Sequence, residues 1–288
     1  MRRRLVYLGT PDMAVPPLRA LVDAGHEILL VVTGADARRG RRGSSTPSPV
    51  KRAATELGLP VSEHLDDISG VGADLGVVVA FGKLLPARLL GPPDGVPMVN
   101  LHFSLLPRWR GAAPVERALL AGDDVTGVCL MKVAEGLDSG PVFACVETPI
   151  GPRDTASDLR GRLVDVGSRL LVTMLDGPLP EPEPQHGVPT YAAKITPDQL
   201  RIDWSADVVE IDRLVRVGGA WTTFRGRRVK ILESGLDLST GDAAAGGSSA
   251  VVPARGLVVG RVQPEGRSPM SLTEFLNGIH PSPGEAFE

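Results

Sequence analysis

The chain has 288 residues, 42% of them hydrophobic and 23% charged, with 31 basic against 34 acidic side chains and a formal net charge of -3. Such a length accommodates one large domain or two modest ones with a real core, and the charge balance excludes a wholly basic, histone-like nucleic-acid binder while leaving room for local basic patches. Two cysteines, Cys129 and Cys145, are too few for a disulfide framework or a structural zinc site of their own, and as free thiols they fit a reducing cytoplasm.

The apolar stretch behind Met1-Arg-Arg-Arg4 ends at Gly9-Thr-Pro-Asp12, short of the roughly 7–15 residues an export signal requires. No run reaches the roughly 18–20 apolar residues that span a bilayer. Leu5 to Gly9 therefore reads as a buried strand ending in a turn. Asp12 is a candidate N-cap for a helix over Val15 to Ala24, with apolar residues at Val15, Leu18, Leu21 and Val22. Ile28 to Thr33 is a second strand, which makes a parallel strand–helix–strand unit of the usual length.

After a loop over 34–49, the pattern predicts a helix over Val50 to Leu57, strands at Leu75 to Ala80 and Pro97 to Leu101, and a helix over Ala113 to Leu120. Strands at Val125 to Val133 and Val142 to Thr148 follow, then a long helix over Thr155 to Leu175. Alternation of this kind implies an α/β fold: an N-terminal Rossmann-like domain, residues 1–176, with a mostly parallel sheet.

The proline-rich run Gly177 to Pro184 opens a stiff linker, residues 177–202. Residues 203–288 then read as a smaller β-rich domain of the β-barrel type. One helix (Val208 to Val215) is followed there by short strands at Thr222 to Phe224, Val229 to Leu232, Val251 to Val252 and Gly256 to Gly260. A flexible Gly/Ala/Ser loop is expected over Asp242 to Ala250.

Several chemistries are poorly supported. The Gly9 turn lacks the glycines of a dinucleotide fingerprint, and no phosphate-binding P-loop occurs. The five histidines have no metal-ligand spacing, and none of the serine turns is a nucleophile elbow. His26, His64, His186 and His280 are read as structural. Basic residues gather at Arg38, Arg39, Arg41 and Arg42, and again at Arg225, Arg227, Arg228 and Lys230. Either cluster is a solvated charged surface or part of a contact with a polyanion.

The stretch Asn100 to Gly140 carries the most chemistry. Asn100 and His102 stand at i and i+2 at the carboxyl end of a strand, so both side chains take one face, at the sheet edge that borders ligand crevices. Asp138 lies on a glycine-flanked turn. An amide can donate to an oxyanion, and an imidazole can do the same or move a proton. A carboxylate can orient that imidazole or take protons through water. The same residues also suit a packed, hydrogen-bonded structural pair beside a turn aspartate.

Asn100-Leu-His-Phe-Ser-Leu-Leu-Pro107, followed by Arg108-Trp-Arg-Gly-Ala-Ala-Pro114, strongly resembles the signature of the formyltetrahydrofolate-dependent formyltransferases. The resemblance implies Asn100, His102 and Asp138 as catalytic residues and N10-formyltetrahydrofolate as the formyl donor, with no metal. It further implies folate contacts from Ser104, Leu105, Leu106 and Pro107, from Phe81, Gly82, Lys83, Leu84 and Leu85, and from Val133, Ala134, Glu135 and Gly136.

Gly9-Thr-Pro-Asp12, Gly40-Arg-Arg-Gly43, Pro47-Ser-Pro-Val-Lys51, Thr190-Tyr-Ala-Ala-Lys-Ile195 and Arg201-Ile-Asp-Trp204 are similar to the branch that formylates initiator methionyl-tRNA. That branch implies tRNA contacts from Arg41 and Arg42, and from Arg38 and Arg39, in a cytoplasmic monomer with no membrane and no stable protein partner. A sugar-nucleotide N-formyltransferase, or a non-catalytic folate- or RNA-binding module on the same fold, is the alternative. The second domain departs from the family pattern in being short and in carrying no net positive charge, which bears on how it holds tRNA.

Overall fold

The computed structural model describes residues 1–38, 45–92, 95–237 and 251–288. The expected loop 242–250 lies outside them. The chain divides into two compact units, one of Met1–Val115, Val125–Pro149 and Arg160–Ala193, the other of Glu116–Asp124, Ile150–Leu159 and Lys194–Glu288.

The first unit begins β1 (Arg4–Gly9), α1 (Val15–Asp23), β2 (Glu27–Val32), then the short β3 (Ala37–Arg38) and β4 (Ser45–Thr46). It continues α2 (Pro49–Glu56), β5 (Val61–Ser62), β6 (Leu75–Val79), β7 (Met98–His102) and β8 (Arg110–Gly111). After α3 (Pro114–Ala121), most of which falls in the second unit, come β9 (Val125–Lys132), β10 (Val142–Pro149), α4 (Ala156–Leu175), whose first turn also falls in the second unit, and β11 (Tyr191–Ala192). Seven strands form one sheet in the order β10-β9-β7-β6-β1-β2-β5. Its pairs from β5 to β7 are parallel, and the pairs β7–β9 and β9–β10 are antiparallel.

The sequence explains this layering. In β1 every residue after Arg4 is buried, and all of β6 is buried, because helices cover both faces of central parallel strands. Each fully buried Val or Leu there contributes roughly 1.5–3 kcal/mol. The phenol of Tyr7 is fully buried and donates to the carbonyl of Ala14 at 2.5 Å, and burial pushes its pKa well above the usual tyrosine value. Edge strand β10 is instead largely exposed.

Helix α2 starts as its sequence dictates: Ser48 accepts from the N–H of Lys51 at 3.0 Å, and Pro49 fills the first turn. Asp12 does not cap α1. It begins a single 3₁₀ turn behind Pro11, and α1 starts without a side-chain cap, its first orphan N–H groups being removed by Pro16 and Pro17. His26 is structural, its Nδ1 accepting from the N–H of Arg3 at 3.3 Å, and burial lowers its pKa.

The two cysteines are not free. Cys129 on β9 and Cys145 on β10 stand directly opposite in the antiparallel register, with Cα atoms 4.1 Å apart, and form a disulfide. Having too few cysteines for a framework does not exclude one bridge, and strand register brings these two together although 16 positions separate them. No helix among the described residues is long and apolar enough to cross a membrane.

The second unit contains α5 (Val208–Val217), β12 (Trp221–Phe224), β13 (Arg227–Leu236), β14 (Leu257–Pro264), β15 (Met270–Ser271) and α6 (Leu272–Ile279). Its strands make a four-stranded antiparallel sheet in chain order, in accord with the expected small β domain. Asp207 caps α5 through the N–H of Val209 at 2.8 Å. β12 and β13 turn through Arg225 (φ 49°) and Gly226 (φ 70°), the pair of left-handed residues that a tight two-residue hairpin requires.

Phe224, Phe275 and Phe287 fill the core with Ile231, Leu257 and Val262, and Trp204 stacks on Phe287 at 5.8 Å. Val251 and Val252, expected as a strand, are buried but unpaired in any strand ladder. The carbonyl of Val251 instead accepts from the N–H of Phe287 at 2.8 Å. Side-chain burial had shaped the apolar pattern there.

Candidate functional site

Three parallel strands, β1, β6 and β7, bring their carboxyl ends to one edge of the first sheet. The chain order also reverses there, since β2 lies on one side of β1 and β6 on the other. This is the position at which open α/β sheets leave a crevice for ligands. Thr10, after β1, donates to the carbonyl of Phe81, after β6, at 3.4 Å.

Asn100 and His102 occupy the end of β7, opposite Met131 and Cys129 of β9. His102 is only 5% exposed. Its Nε2 lies 2.9 Å from the carbonyl of Trp109, and because a carbonyl only accepts, Nε2 carries the proton of that contact. Its Nδ1 lies 3.7 Å from Oδ2 of Asp138. Asn100 Nδ2 donates to Oδ1 of the same carboxylate at 3.5 Å, the long limit of a hydrogen bond. Asn100 and His102 therefore converge on the one carboxylate of Asp138, 36 and more positions along the chain from the strand that holds them.

Asp138 is held rather than loose. Its φ is 46°, in the left-handed region that favours glycine, and its Oδ2 accepts from the N–H of Gly111 at 2.8 Å. Gly111 has φ 117°, and a Cβ there would stand 3.0 Å from the carbonyl of Ala192, so only glycine lets the chain pass. Parallel pairing of Tyr191 with Arg110 and Ala192 with Gly111 fixes this strip, and the N–H of Trp109 donates to Oγ1 of Thr190 at 2.8 Å. The segment that touches both His102 and Asp138 is thus laced to residues some eighty positions downstream.

The residues expected at a folate surface lie on three loops. Ser104 is fully buried and donates to the carbonyl of Arg108 at 2.6 Å, while Leu105, Leu106 and Pro107 are half-buried, with a cis bond between the last two. Phe81 is buried against Val133 in one apolar cluster. The Nζ of Lys83 lies 5.7 Å above the Phe81 ring, Gly82 and Leu84 are exposed, and Leu85 is half-buried. Ala134, Glu135 and Gly136 are exposed. Leu84 and Leu137 are large apolar side chains at 77% and 50% exposure, the second missed in sequence although it sits inside the turn. Exposed apolar side chains on loops beside a polar cluster fit a flat, partly apolar ligand.

The backbone of Arg38 lies in β3, but its side chain and all of Arg39, Arg41 and Arg42 lie outside the described residues. Of the second basic cluster, Arg225 makes a bidentate pair with Glu285, and Arg228 lies 4.1 Å above the ring of Trp221. Trp204 anchors its own segment, donating to Oγ1 of Thr222 at 2.8 Å. Among the described residues, no group of three or more His, Cys, Asp or Glu side chains is placed to hold a metal ion.

Residues 3–175 match the family described as formyl transferase, and residues 194–280 match the formyl transferase C-terminal domain. The chain is 44% identical over 299 residues to the methionyl-tRNA formyltransferase of Cereibacter sphaeroides (strain ATCC 17025 / ATH 2.4.3), covering 96% of each chain. It is 42% identical to that of Thermobifida fusca (strain YX), covering 99% of each. Among solved structures, an N-formyltransferase from Helicobacter canadensis in complex with folinic acid and dTDP-3-aminofucose aligns with a TM-score of 0.65 at 19% identity. That alignment covers 82% of this chain and 88% of the other. Methionyl-tRNA formyltransferase from Clostridium thermocellum aligns with a TM-score of 0.57 at 12% identity, covering 92% and 99%. At these identities the structures speak to the fold.

Proposed function

This chain belongs to the formyl transferase family, and we propose that it transfers the formyl group of N10-formyltetrahydrofolate to the α-amine of methionine esterified to initiator tRNA, with Asn100, His102 and Asp138 as the reacting groups. Full-length similarity to methionyl-tRNA formyltransferases supports the acceptor. The observation that carries the chemistry is the convergence of an amide at 3.5 Å and an imidazole at 3.7 Å on the Asp138 carboxylate, at the carboxyl ends of the parallel strands.

The folate supplies the formyl carbon; the protein supplies donors and a proton path. The loops of Phe81 to Leu85, Ser104 to Pro107 and Val133 to Gly136 hold the donor, and the exposed Leu84 and Leu137 suit the apolar face of its ring system. Asn100 and Nδ1 of His102, the ring nitrogen not taken by the Trp109 carbonyl, donate to the oxygen that gains negative charge as the neutral amine attacks. The contact from Nε2 of His102 to the Trp109 carbonyl fixes the ring, and the Asp138 carboxylate lies 3.7 Å from Nδ1. One C–N bond forms to the amine and one breaks at N10; the amine gives up a proton and N10 takes one, with Asp138 and His102 moving it through water. Arg38, Arg39, Arg41 and Arg42 hold tRNA phosphates. Function at initiation sets the location in the cytoplasm, and the enzyme acts as a monomer.

A transfer assay tests this reading. Incubated with formyltetrahydrofolate, the protein formylates methionyl-tRNA and leaves a dTDP-amino sugar unmodified. Product on the amino sugar alone would move it to the sugar-nucleotide branch, and product on neither would leave a binding module.

A further inference from the structure

Gln185 stands in the proline-rich stretch after α4, and every hydrogen-bonding position of its amide is engaged. Its Oε1 accepts from Nε of Arg110 at 3.0 Å and from Nη2 at 2.6 Å. Its Nε2 donates to the carbonyls of Asp138 and Gly140, both at 2.8 Å. A guanidinium has only donors, so Arg110 decides which end of the amide is oxygen, and the two amide hydrogens then face two acceptors.

The two carbonyls flank Ser139 in the turn where Asp138 adopts φ 46°. A non-glycine residue keeps such a conformation only where its surroundings impose it. Gly140, two residues on, leaves no slack: a Cβ there would lie 1.8 Å from the carbonyl of Lys132. Gln185 therefore grips the backbone of the residue whose side chain meets Asn100, His102 and the N–H of Gly111. The neighbouring Glu183 joins the same turn's outgoing strand through paired backbone bonds with Val142, at 2.7 and 2.9 Å.

We propose that Gln185 is a positioning residue for formyl transfer: oriented by Arg110, its carboxamide fixes the Asp138 backbone so that the carboxylate faces Asn100 and His102. The proposal rests on Asp138 acting in formyl transfer as read above. A glutamine on a connecting stretch becomes part of the site through two carbonyls, without touching substrate.

The test compares Gln185→Ala and the isosteric Gln185→Glu, which keeps the acceptor for Arg110 but turns an oxygen toward two carbonyl oxygens. Single-turnover transfer to methionyl-tRNA is measured in wild-type and Asp138→Asn backgrounds, with rates normalised to titrated folate-binding sites so that unfolded protein does not count. Both substitutions are expected to lower the wild-type rate about 10–100-fold, as partners that orient reacting groups do, with folate affinity changed less than about threefold. In the Asp138→Asn background neither lowers it further, because groups that act as a unit are non-additive. Wild-type rates in both variants, or the same fold loss in both backgrounds, would overturn the proposal. A wild-type rate for Asp138→Asn by itself would instead overturn the reading of Asp138.

Discussion

Around the end of β7 each polar side chain of the candidate site is fixed by named contacts from separate chain segments, whereas the second unit holds its shape by packing four aromatic rings. His102 answers to one carbonyl and one carboxylate, and Asp138 to the backbone of Gly111 and the amide of Gln185. Phe224 meets Phe275 and Phe287 edge-on at 5.8 and 6.0 Å, with Trp204 stacked behind. Directional contacts fix geometry to tenths of an ångström while contributing little net stability. Apolar packing contributes much stability and constrains chemistry little. Mutations in the two regions should therefore separate rate from stability.

Replacing Phe224 by Ala should produce the largest effect, a loss of about 3–5 kcal/mol in stability, read by denaturant unfolding. The transfer rate per folded molecule should hold; a fall in it that exceeds the loss of folded protein would break the contrast. His102→Ala should do the reverse. A loss of roughly 10²–10³ in single-turnover rate is expected from removing one oxyanion donor, with folate affinity retained. Arg41→Ala tests the tRNA contact: the slope of binding against salt should decrease by about 1, folate binding should not move, and an unchanged slope would remove Arg41 from the contact.

The smallest effect concerns Glu285, whose pKa is lowered to about 2 chiefly by its bidentate bond with Arg225. A carboxylate depressed in the folded state contributes stability above its ordinary value of 4.5, and that contribution is lost as the pH falls toward 2. Wild-type Tm should thus drop more steeply than that of Glu285→Gln across this window. Parallel curves would show that the exposed pair contributes nothing measurable.

The sequence displayed these regions unequally. The shared face of Asn100 and His102 was legible because strand alternation puts i and i+2 on one side, while their proposed role came from the family resemblance; the parallel sheet followed from apolar runs spaced by helices. Asp138 needed the family resemblance, since a turn aspartate has no periodicity to mark it. Gln185 and the pairing of β8 with β11 were not legible: two-residue strands give no pattern, and the contact joins positions 75 apart. The disulfide depended on register that no local signal carries.

Helix α6 was overlooked although its start was written out. Ser271 and Glu274 form a capping box, the Ser accepting from the N–H of Glu274 at 3.1 Å and the Glu from the N–H of Ser271 at 2.7 Å. At Asp12 the same cue misled, because prolines had already removed the N–H groups that a cap would satisfy.

The central claim is that one carboxamide steadies the oxygen of the formyl carbon as it changes hands, and Asn100→Ala addresses it alone, leaving His102 and Asp138 in place. Single-turnover transfer to methionyl-tRNA at saturating folate should fall by about 10²–10³, with the same folate affinity and the same unfolding midpoint. A fully folded, folate-binding Asn100→Ala protein that transfers formyl at the wild-type rate would contradict the account.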